Sequence, residues 1–256
     1  MKDWSSAQYL KFESQRTQPS IDLAKRIGLA HPGKIIDIGC GPGNSTSVLR
    51  DVFPDADILG IDSSENMLEK ARANYPELSF ERCNAETELG KINERYDIVF
   101  SNACIQWIPD HRKLIRNMLN LLTENGVLAV QIPMTNQEPL FKIIYDVVAE
   151  PRWGFGPLEF NTVSALTPEE YFNILSSLSS DFDIWETAYY HRMPNHRALL
   201  EWVKGTRLRP YLNTLDEKAA AEFEQEIYNR AVETYPVQPN GEIMFRFNRF
   251  FFTAVK

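Results

Sequence analysis

The residues best suited to hold a reactive small molecule stand together in Ile35-Ile36-Asp37-Ile38-Gly39-Cys40-Gly41-Pro42-Gly43-Asn44-Ser45. A carboxylate is followed by three alternating glycines. Glycine accepts φ > 0 and has no Cβ, so the backbone can bend sharply and approach a ligand closely. The apolar run before it predicts a strand covered on both faces, and Asn44 or Ser45 is predicted to cap the helix behind it. A turn at the carboxyl end of a strand in a parallel sheet is where open α/β sheets bind nucleotides. A dinucleotide fingerprint needs Gly-x-Gly-x-x-Gly, and Asn44 stands where the third glycine belongs. A P-loop needs Gly-Lys-Ser/Thr, and no lysine follows. What remains is Asp37-x-Gly39-x-Gly41-x-Gly43, or a plain strand-turn-helix junction without ligand.

A second carboxylate, Asp62, closes the predicted strand Ile58-Leu59-Gly60-Ile61-Asp62. An acid at the end of the strand beside the glycine turn can accept hydrogen bonds from both hydroxyls of a ribose. It also lies near a helix entry, Asp62-Ser63-Ser64-Glu65, but Ser63 or Ser64 fills the capping role without it. Met67 either flanks a base or packs in the core. Cys40 lies in the turn, where packing beneath a ligand suits it better than attack.

The elements that must position these groups alternate. Residues 1–30 predict an N-terminal helix, interrupted by Pro19, that either packs on the domain or forms a lid bringing Tyr9 and Arg16 to an anionic ligand. Residues 31–135 predict the cofactor-binding core: strands at 34–38, 58–62, 78–82, 96–101 and 127–132, separated by helices. Strict alternation implies a parallel sheet. Strand 96–101 borders the first strand at the switch point, so the residues just beyond it line the site. Residues 136–182 predict connecting helices, with an aromatic loop (Trp153, Phe155, Phe160) and a helix capped by Thr167 with Pro168 at its first position. Residues 183–256 predict two terminal strands, 183–190 and 244–255, with a helical cap inserted at about 192–240. The expected fold is α/β, a Rossmann-like seven-stranded sheet, mostly parallel with the last strand antiparallel.

Composition narrows the function classes. The chain has 256 residues, 43% hydrophobic and 24% charged, with net charge −8. That balance speaks against general binding to nucleic acid or to an anionic membrane. Met1-Lys2-Asp3-Trp4-Ser5 lacks a signal peptide's apolar core. No stretch approaches the ~20 apolar residues of a membrane span. Cys40, Cys83 and Cys104 are scattered and odd in number, and the four histidines lack ligand spacing, so neither disulfides nor a metal site is expected and a cytoplasmic location fits. The expected assembly is a monomer or weak homodimer.

The glycine turn resembles the first motif of the class I S-adenosylmethionine-dependent methyltransferases. That cofactor has no phosphate, which fits a turn without a basic residue, and its methionine amino group suits Asp37. The chain as a whole resembles the trans-aconitate 2-methyltransferase family. The resemblance rests on Asp3-Trp4 with Tyr9, the turn through Thr46, Gly60-Ile61-Asp62-Ser63-Ser64, Asn102-Ala103 with Gln106-Trp107, and Pro109-Asp110-His111. It continues through Asp183-Ile184-Trp185, Tyr189-Tyr190-His191 with Met193-Pro194, Trp202-Val203, Leu208-Arg209-Pro210, Tyr235-Pro236 and Asn240-Gly241. Two features depart from the pattern: the loop from Thr135 to Asn161, and Asn84 where Asp is common.

The resemblance implies S-adenosyl-L-methionine as cofactor and a monomethyl ester of a small polycarboxylate as product. It assigns cofactor contacts to Asp37, Gly39, Gly41, Gly43, Asp62, Ser63, Met67, Asn102, Ala103 and Trp107, and adenine contacts to the loop Asn84-Ala85-Glu86. A carboxylate acceptor, with an ordinary pKa of ~4, is already ionised at neutral pH, so no general base is needed. Catalysis is then mostly in-line alignment, which can contribute roughly 7–11 kcal/mol, with Gln106, Trp107 and His191 positioning the reactants.

A polycarboxylate requires cations. Residues 191–209 carry His191, Arg192, His196, Arg197, Lys204, Arg207 and Arg209 against one acid, Glu201, a local reversal of charge. A solvated helix face accounts for Arg192, Arg197 and Lys204. Arg207 and Arg209 follow a predicted helix break at Gly205 and are assigned to substrate, since Arg can grip a carboxylate bidentately. Tyr189 and Tyr190 are either core or donors to substrate oxygens. Two other readings stay open: methylation of a malonyl group on a carrier protein, and a non-catalytic cofactor-binding regulator.

Overall fold

The computed structural model describes residues 13–135, 138–155 and 165–256. Trp4, Tyr9, Phe12 and Phe160 lie outside the described residues, as does the side chain of Arg16.

The first described element is helix α1 (Glu13–Arg26). It runs through Pro19 without a break, and the Ser20 hydroxyl donates to the Thr17 carbonyl one turn back. The core alternates strand and helix except between β3 and β4, where a single 3-10 turn (Leu89–Lys91) replaces the predicted helix: β1 (Lys34–Ile38), α2 (Asn44–Val52), β2 (Asp57–Asp62), α3 (Glu65–Asn74), β3 (Ser79–Arg82), β4 (Tyr96–Asn102), α4 (His111–Asn120) and β5 (Leu122–Pro133). The last of these starts earlier than predicted. Leu122 opens the strand opposite Tyr96, and an irregularity follows before pairing resumes at Ile98 and Val127. Asn125, with φ 64°, makes the bend.

The second half gives α5 (Pro139–Val148), α6 (Pro168–Ser176), β6 (Phe182–Met193), α7 (His196–Val203), α8 (Arg209–Leu212), α9 (Glu217–Thr234) and β7 (Ile243–Val255). Thr167 caps α6 with a full capping box to Glu170. Between α7 and α8 the predicted break at Gly205 is instead a π-helical turn, Lys204–Leu208, which carries the helix on with a changed phase.

Among the described residues one sheet has the order β3-β2-β1-β4-β5-β7-β6. β1 pairs in parallel with both β2 and β4, which places the switch point at the glycine turn. β7 runs antiparallel between β5 and β6. Pairing of β7 with β5 ends at Pro133 opposite Arg249, whereas pairing with β6 continues to Met193 opposite Ile243. The β6–β7 hairpin therefore stands well beyond the sheet's ligand edge.

Two apolar clusters flank the sheet. One joins Leu23 and Ala24 of α1, Ile27 just past its end and Leu49 of α2 to Ile35, Phe100, Ala129 and Phe251. The other face carries Ile36, Val99, Leu128 and Phe252 against Ile115 and Met118 of α4 and Tyr171 of α6. The projecting hairpin is covered by the cap: Phe245 and Phe247 pack with Trp202, Phe223 and Ile227, and α5 joins the same cluster through Leu140, Phe141 and Ile144. Trp153 and Phe155 meet Phe223 edge-on, so this part of the predicted aromatic loop is cap core.

Candidate functional site

The glycine turn is built by backbone needs. Gly39 and Cys40 both donate N–H to the Ile61 carbonyl, at 2.8 and 3.0 Å. Gly39 has φ 75°, and a Cβ there would lie 2.1 Å from Cys104 Sγ, so no other residue fits. At Gly41 a Cβ would meet nothing within 4 Å, which leaves the turn open on its outer side. Gly43, not Asn44 or Ser45, is the N-cap of α2, in left-handed conformation with no side-chain cap. Ser45, one of the two predicted caps, serves Asp37 instead: its Oγ and the Thr46 Oγ1 donate to Asp37 Oδ2 at 2.6 and 2.7 Å. Cys40 packs beneath the turn with Leu68, Leu78 and Phe80.

Asp37 is fully buried. Burial raises its pKa to about 6, against the lowering effect of the Ser45 and Thr46 hydroxyls. Its Oδ1 is buried with no hydrogen-bond partner among the described residues. Buried carboxylate oxygens are nearly always satisfied, so this one is suited to an incoming donor. A cationic amino group fits both the charge and the unused acceptor.

Asp62 is tied to the turn. Its Oδ2 accepts from Gly41 N–H at 2.9 Å and its Oδ1 from Ser64 N–H at 2.8 Å. Ser64 supplies the N-cap of α3, accepting from Met67 N–H, which frees Asp62 from that role. Burial nonetheless raises the Asp62 pKa, opposed by these backbone donors. Ser63 N–H is a third backbone donor to the Asp62 carboxylate, and of that carboxylate's about four acceptor positions one remains for a hydroxyl. Ser63 is exposed beside it, and Met67 is buried in the first turn of α3.

In the next loop, Asn84 Oδ1 accepts from Glu86 N–H at 2.9 Å, and Glu88 Oε2 accepts from Asn84 N–H at 2.7 Å. The Asn84 oxygen assigned to an adenine amine is thus engaged in holding its own turn. Ala85 is buried there and Glu86 is exposed.

Beyond β4, Ala103 adopts φ 53°, a left-handed conformation that side chains resist and that clusters at functional sites. It is held on both sides: its N–H donates to the Gln131 carbonyl at 3.0 Å, and its carbonyl accepts from Gln106 Nε2 at 2.7 Å. Asn102 Oδ1 and Gln106 Oε1 are buried without partners among the described residues. Trp107 stays 37% exposed, enough to face a ligand.

The cap brings one of its cations to this loop. The Arg207 guanidinium lies 5.6 Å from the Trp107 ring centre and 5.3 Å from that of Phe141, and donates to Thr135 Oγ1 at 3.3 Å. Burial lowers its pKa, and no carboxylate pairs with it among the described residues. Arg209 is half-buried at the start of α8. Positions two apart on a helix do not share a face, so Arg209 is not brought to Trp107 with Arg207. Arg192, Lys204 and Arg197 are taken up elsewhere: by Glu242, by Glu224, and by Gln225 with the Tyr228 ring.

The Tyr-Tyr-His stretch divides between faces. Tyr189 donates its hydroxyl to Asp22 Oδ2 of α1 at 2.6 Å, so it fastens the N-terminal helix to the hairpin. Tyr190 is 59% exposed on the opposite face. His191 is buried against Trp202, ring centres 4.9 Å apart, and burial plus the charge of Arg249 lower its pKa to about 4. It is neutral at physiological pH, with Nε2 unpartnered among the described residues.

Four groups escaped the sequence reading. Gln131 and Arg249 are buried polar residues inside apolar strands, and that interruption is the signal that marks them. Glu138, at the mouth of α5, is buried with Oε2 unpartnered, and burial raises its pKa to about 7 against the charge of Arg246. No local pattern announces Glu138 or Arg246. Among the described residues no group of three or more His, Cys, Asp or Glu gathers to hold a metal ion. No described helix is long and apolar enough to cross a membrane.

The parallel core with its antiparallel β7, the open glycine turn and the acid at the end of β2 define a Rossmann-like methyltransferase. A family model for a methyltransferase domain matches residues 31–185. The chain is 39% identical to trans-aconitate 2-methyltransferase of Methylobacterium radiotolerans, over 100% of this chain and 99% of that one. It is 38% identical to the enzyme of that name from Rhodopseudomonas palustris, over the full length of both. The chain belongs to the trans-aconitate 2-methyltransferase family. Among solved structures it is similar to the YcgJ protein of Bacillus subtilis, with TM-score 0.59 at 15% identity over 93% of this chain and 98% of that one. It is also similar to phosphoethanolamine N-methyltransferase 2 of Haemonchus contortus in complex with S-adenosyl-L-methionine, with TM-score 0.58 at 18% identity over 93% and 52%. These two likenesses speak for the fold.

Proposed function

We propose that the protein is an S-adenosylmethionine-dependent carboxyl O-methyltransferase that forms a monomethyl ester of trans-aconitate or a similar polycarboxylate. The observation that carries the acceptor class is Arg207: a half-buried, desolvated cation with no described carboxylate partner, set against Trp107 in the loop that leaves β4. Burying a charge without a counter-charge is costly, so the site is suited to a ligand that brings one. Asp37, the Gly39–Gly43 turn and Asp62 hold the cofactor, which when bound supplies an electrophilic methyl group on a sulfonium. Ala103, Gln106 and Trp107 shape the wall between that turn and the acceptor.

The acceptor oxygen needs no base, because a carboxylate with a pKa of ~4 is ionised at neutral pH. The contribution of the chain is orientation and exclusion of water. A small free acid is favoured over an acyl group on a carrier protein, since Arg192 and Lys204 already pair with Glu242 and Glu224 and do not form a bare basic docking face. Labelled-methyl transfer over di- and tricarboxylic acids tests the reading. A base-labile ester is the expected product, and its absence from every acid overturns the proposal.

A further inference from the structure

One guanidinium and two phenols converge where the cap meets α5. Residues four apart on a helix share a face. Phe141 and Tyr145 stand four apart on α5, and the Arg207 guanidinium lies 5.3 Å from the Phe141 ring centre. Arg207, in the π-helical turn, and Tyr211, in α8, are four apart as well. The three polar heads act on one another in pairs. Burial lowers the Arg207 pKa, and Tyr145 and Tyr211 oppose that effect. Burial raises the Tyr211 pKa, Tyr145 raises it further and Arg207 lowers it. No carboxylate is among the charges that bear on either group.

The cluster is closed on one side and open on the other. Tyr211 is buried, its ring 5.1 Å from that of Phe155 within the cap. Arg207 and Tyr145 are only half-buried, and Trp107 beside Arg207 is 37% exposed, so solvent and solutes reach these groups. Other tyrosine hydroxyls are used inside the chain: Tyr189 donates to Asp22, Tyr171 bonds to His111 Nδ1 and Tyr235 accepts from Leu140 N–H. No bond of that kind engages the Tyr145 hydroxyl among the described residues. A phenol hydroxyl is both acceptor and donor. Beside a cation without a counter-charge, its oxygen turns toward the positive group and its proton points away, where an anion can receive it.

We propose that Tyr145 is a specificity-determining residue for the acceptor: its hydroxyl donates to the same carboxylate that Arg207 holds, while Tyr211 backs the guanidinium from the buried side. The inference rests on the polycarboxylate reading above. A carboxylate has about four acceptor positions, and a guanidinium fork uses at most two of them. A second cation in the place of Tyr145 would repel Arg207, whereas a phenol adds a donor without that repulsion. Bonds to an ionised oxygen are roughly twice as strong as bonds to a neutral one, so the pair favours a carboxylate over an ester or an amide at this position.

The test is a double-mutant cycle in the full chain: Tyr145→Phe, which removes the hydroxyl alone, Arg207→Met, and both together. Should Tyr145→Phe melt well below the parent, Tyr145→Leu takes its place. The Michaelis constant for trans-aconitate and the affinity for S-adenosylhomocysteine are measured for each. Tyr145→Phe is expected to raise KM by roughly 5- to 30-fold in the parent and to leave S-adenosylhomocysteine affinity unchanged. In the Arg207→Met background the same change should add less than about twofold, because the carboxylate is no longer held there. No rise in KM, an equal rise in both backgrounds, or a loss that follows cofactor affinity overturns the role of Tyr145 while leaving the activity in place. Should the parent methylate no acid, calorimetry with trans-aconitate on the S-adenosylhomocysteine complex separates the claims. Binding that weakens with Tyr145→Phe keeps the site and removes the proposed reaction. Absence of binding, or binding that Tyr145→Phe leaves unchanged, removes both.

Discussion

Arg207 lies over Trp107, guanidinium carbon 5.6 Å from the ring centre, and this contact joins the cap to the loop that leaves β4. A cation within about 6 Å of an indole face is attracted by up to about 2 kcal/mol when desolvated. The contact thus fixes a desolvated charge against the loop that leaves β4. Arg207 stands within the π-helical turn Lys204–Leu208.

Replacing Arg207 with Met is expected to raise the acceptor KM by roughly 10- to 100-fold, on the order of 1.4–2.8 kcal/mol, with cofactor affinity unchanged. Arg207→Lys keeps the charge but loses the planar fork, so it should fall between parent and Met. Steady-state kinetics paired with a cofactor titration reads both. Parallel loss of cofactor and acceptor binding would remove Arg207 from the acceptor site.

Cofactor affinity should depend on pH through Asp37. Its carboxyl, raised to about 6 in the free protein, must be ionised to receive a cationic amino group. Affinity is expected to be flat above about pH 6 and to fall below it, approaching tenfold per pH unit. Asp37→Asn should weaken binding and flatten the profile. Titrations of both proteins from pH 5 to 8 check this, and matching slopes would exclude the carboxylate as the titrating group.

Gly39→Ala should unfold or severely destabilise the protein, because its Cβ falls 2.1 Å from Cys104 Sγ. The double variant with Cys104→Gly removes that obstacle but keeps the strain of a side chain at φ 75°, a cost of roughly 1 kcal/mol. Denaturant melts should therefore show partial rescue. Full additivity of the two changes would mean the residues are not in contact.

His191 ties stability to pH. Its pKa in the folded state, about 4, lies below the unfolded value of ~6.5. The unfolded chain takes up the proton first, so the contribution of neutral His191 is complete above about pH 6.5 and declines as pH falls toward 4. Asp37 and Glu138, with raised values, act in the opposite sense over the same range. The difference between parent and His191→Phe isolates the histidine. It should change by roughly 3 kcal/mol against the parent between pH 7 and pH 4, read by urea unfolding at each pH.

The alternating core was legible because its signals are local. A buried parallel strand reads as an apolar run, and a glycine turn announces itself by residue type, so β1, the turn and Asp62 stand where the pattern placed them. Capping was misread at Asn44 and Ser45 for a physical reason. Both residue types suit a cap, but the glycine turn already delivers the chain into α2 at Gly43, which leaves the Ser45 hydroxyl, with that of Thr46, to hold Asp37. Tyr189 reads from sequence as core or as a donor to substrate, but its hydroxyl partner Asp22 lies far back in the chain, and no local pattern encodes that pairing.

By itself, then, the sequence determined the sheet, the glycine turn and the class of cofactor chemistry, because strand burial, φ > 0 and the absence of a phosphate-binding lysine are properties of neighbouring residues. Only the tertiary structure decided which cations are paired with acids. Seven basic groups crowd residues 191–209, and composition cannot say which have acids beside them. The fold gives Glu242 to Arg192 and Glu224 to Lys204, leaves Arg207 over Trp107, and sets Gln131 opposite Phe251 and Pro133 opposite Arg249 across strands that are far apart in the chain. Charge selection at the site is a question of three-dimensional pairing, and pairing is set by packing.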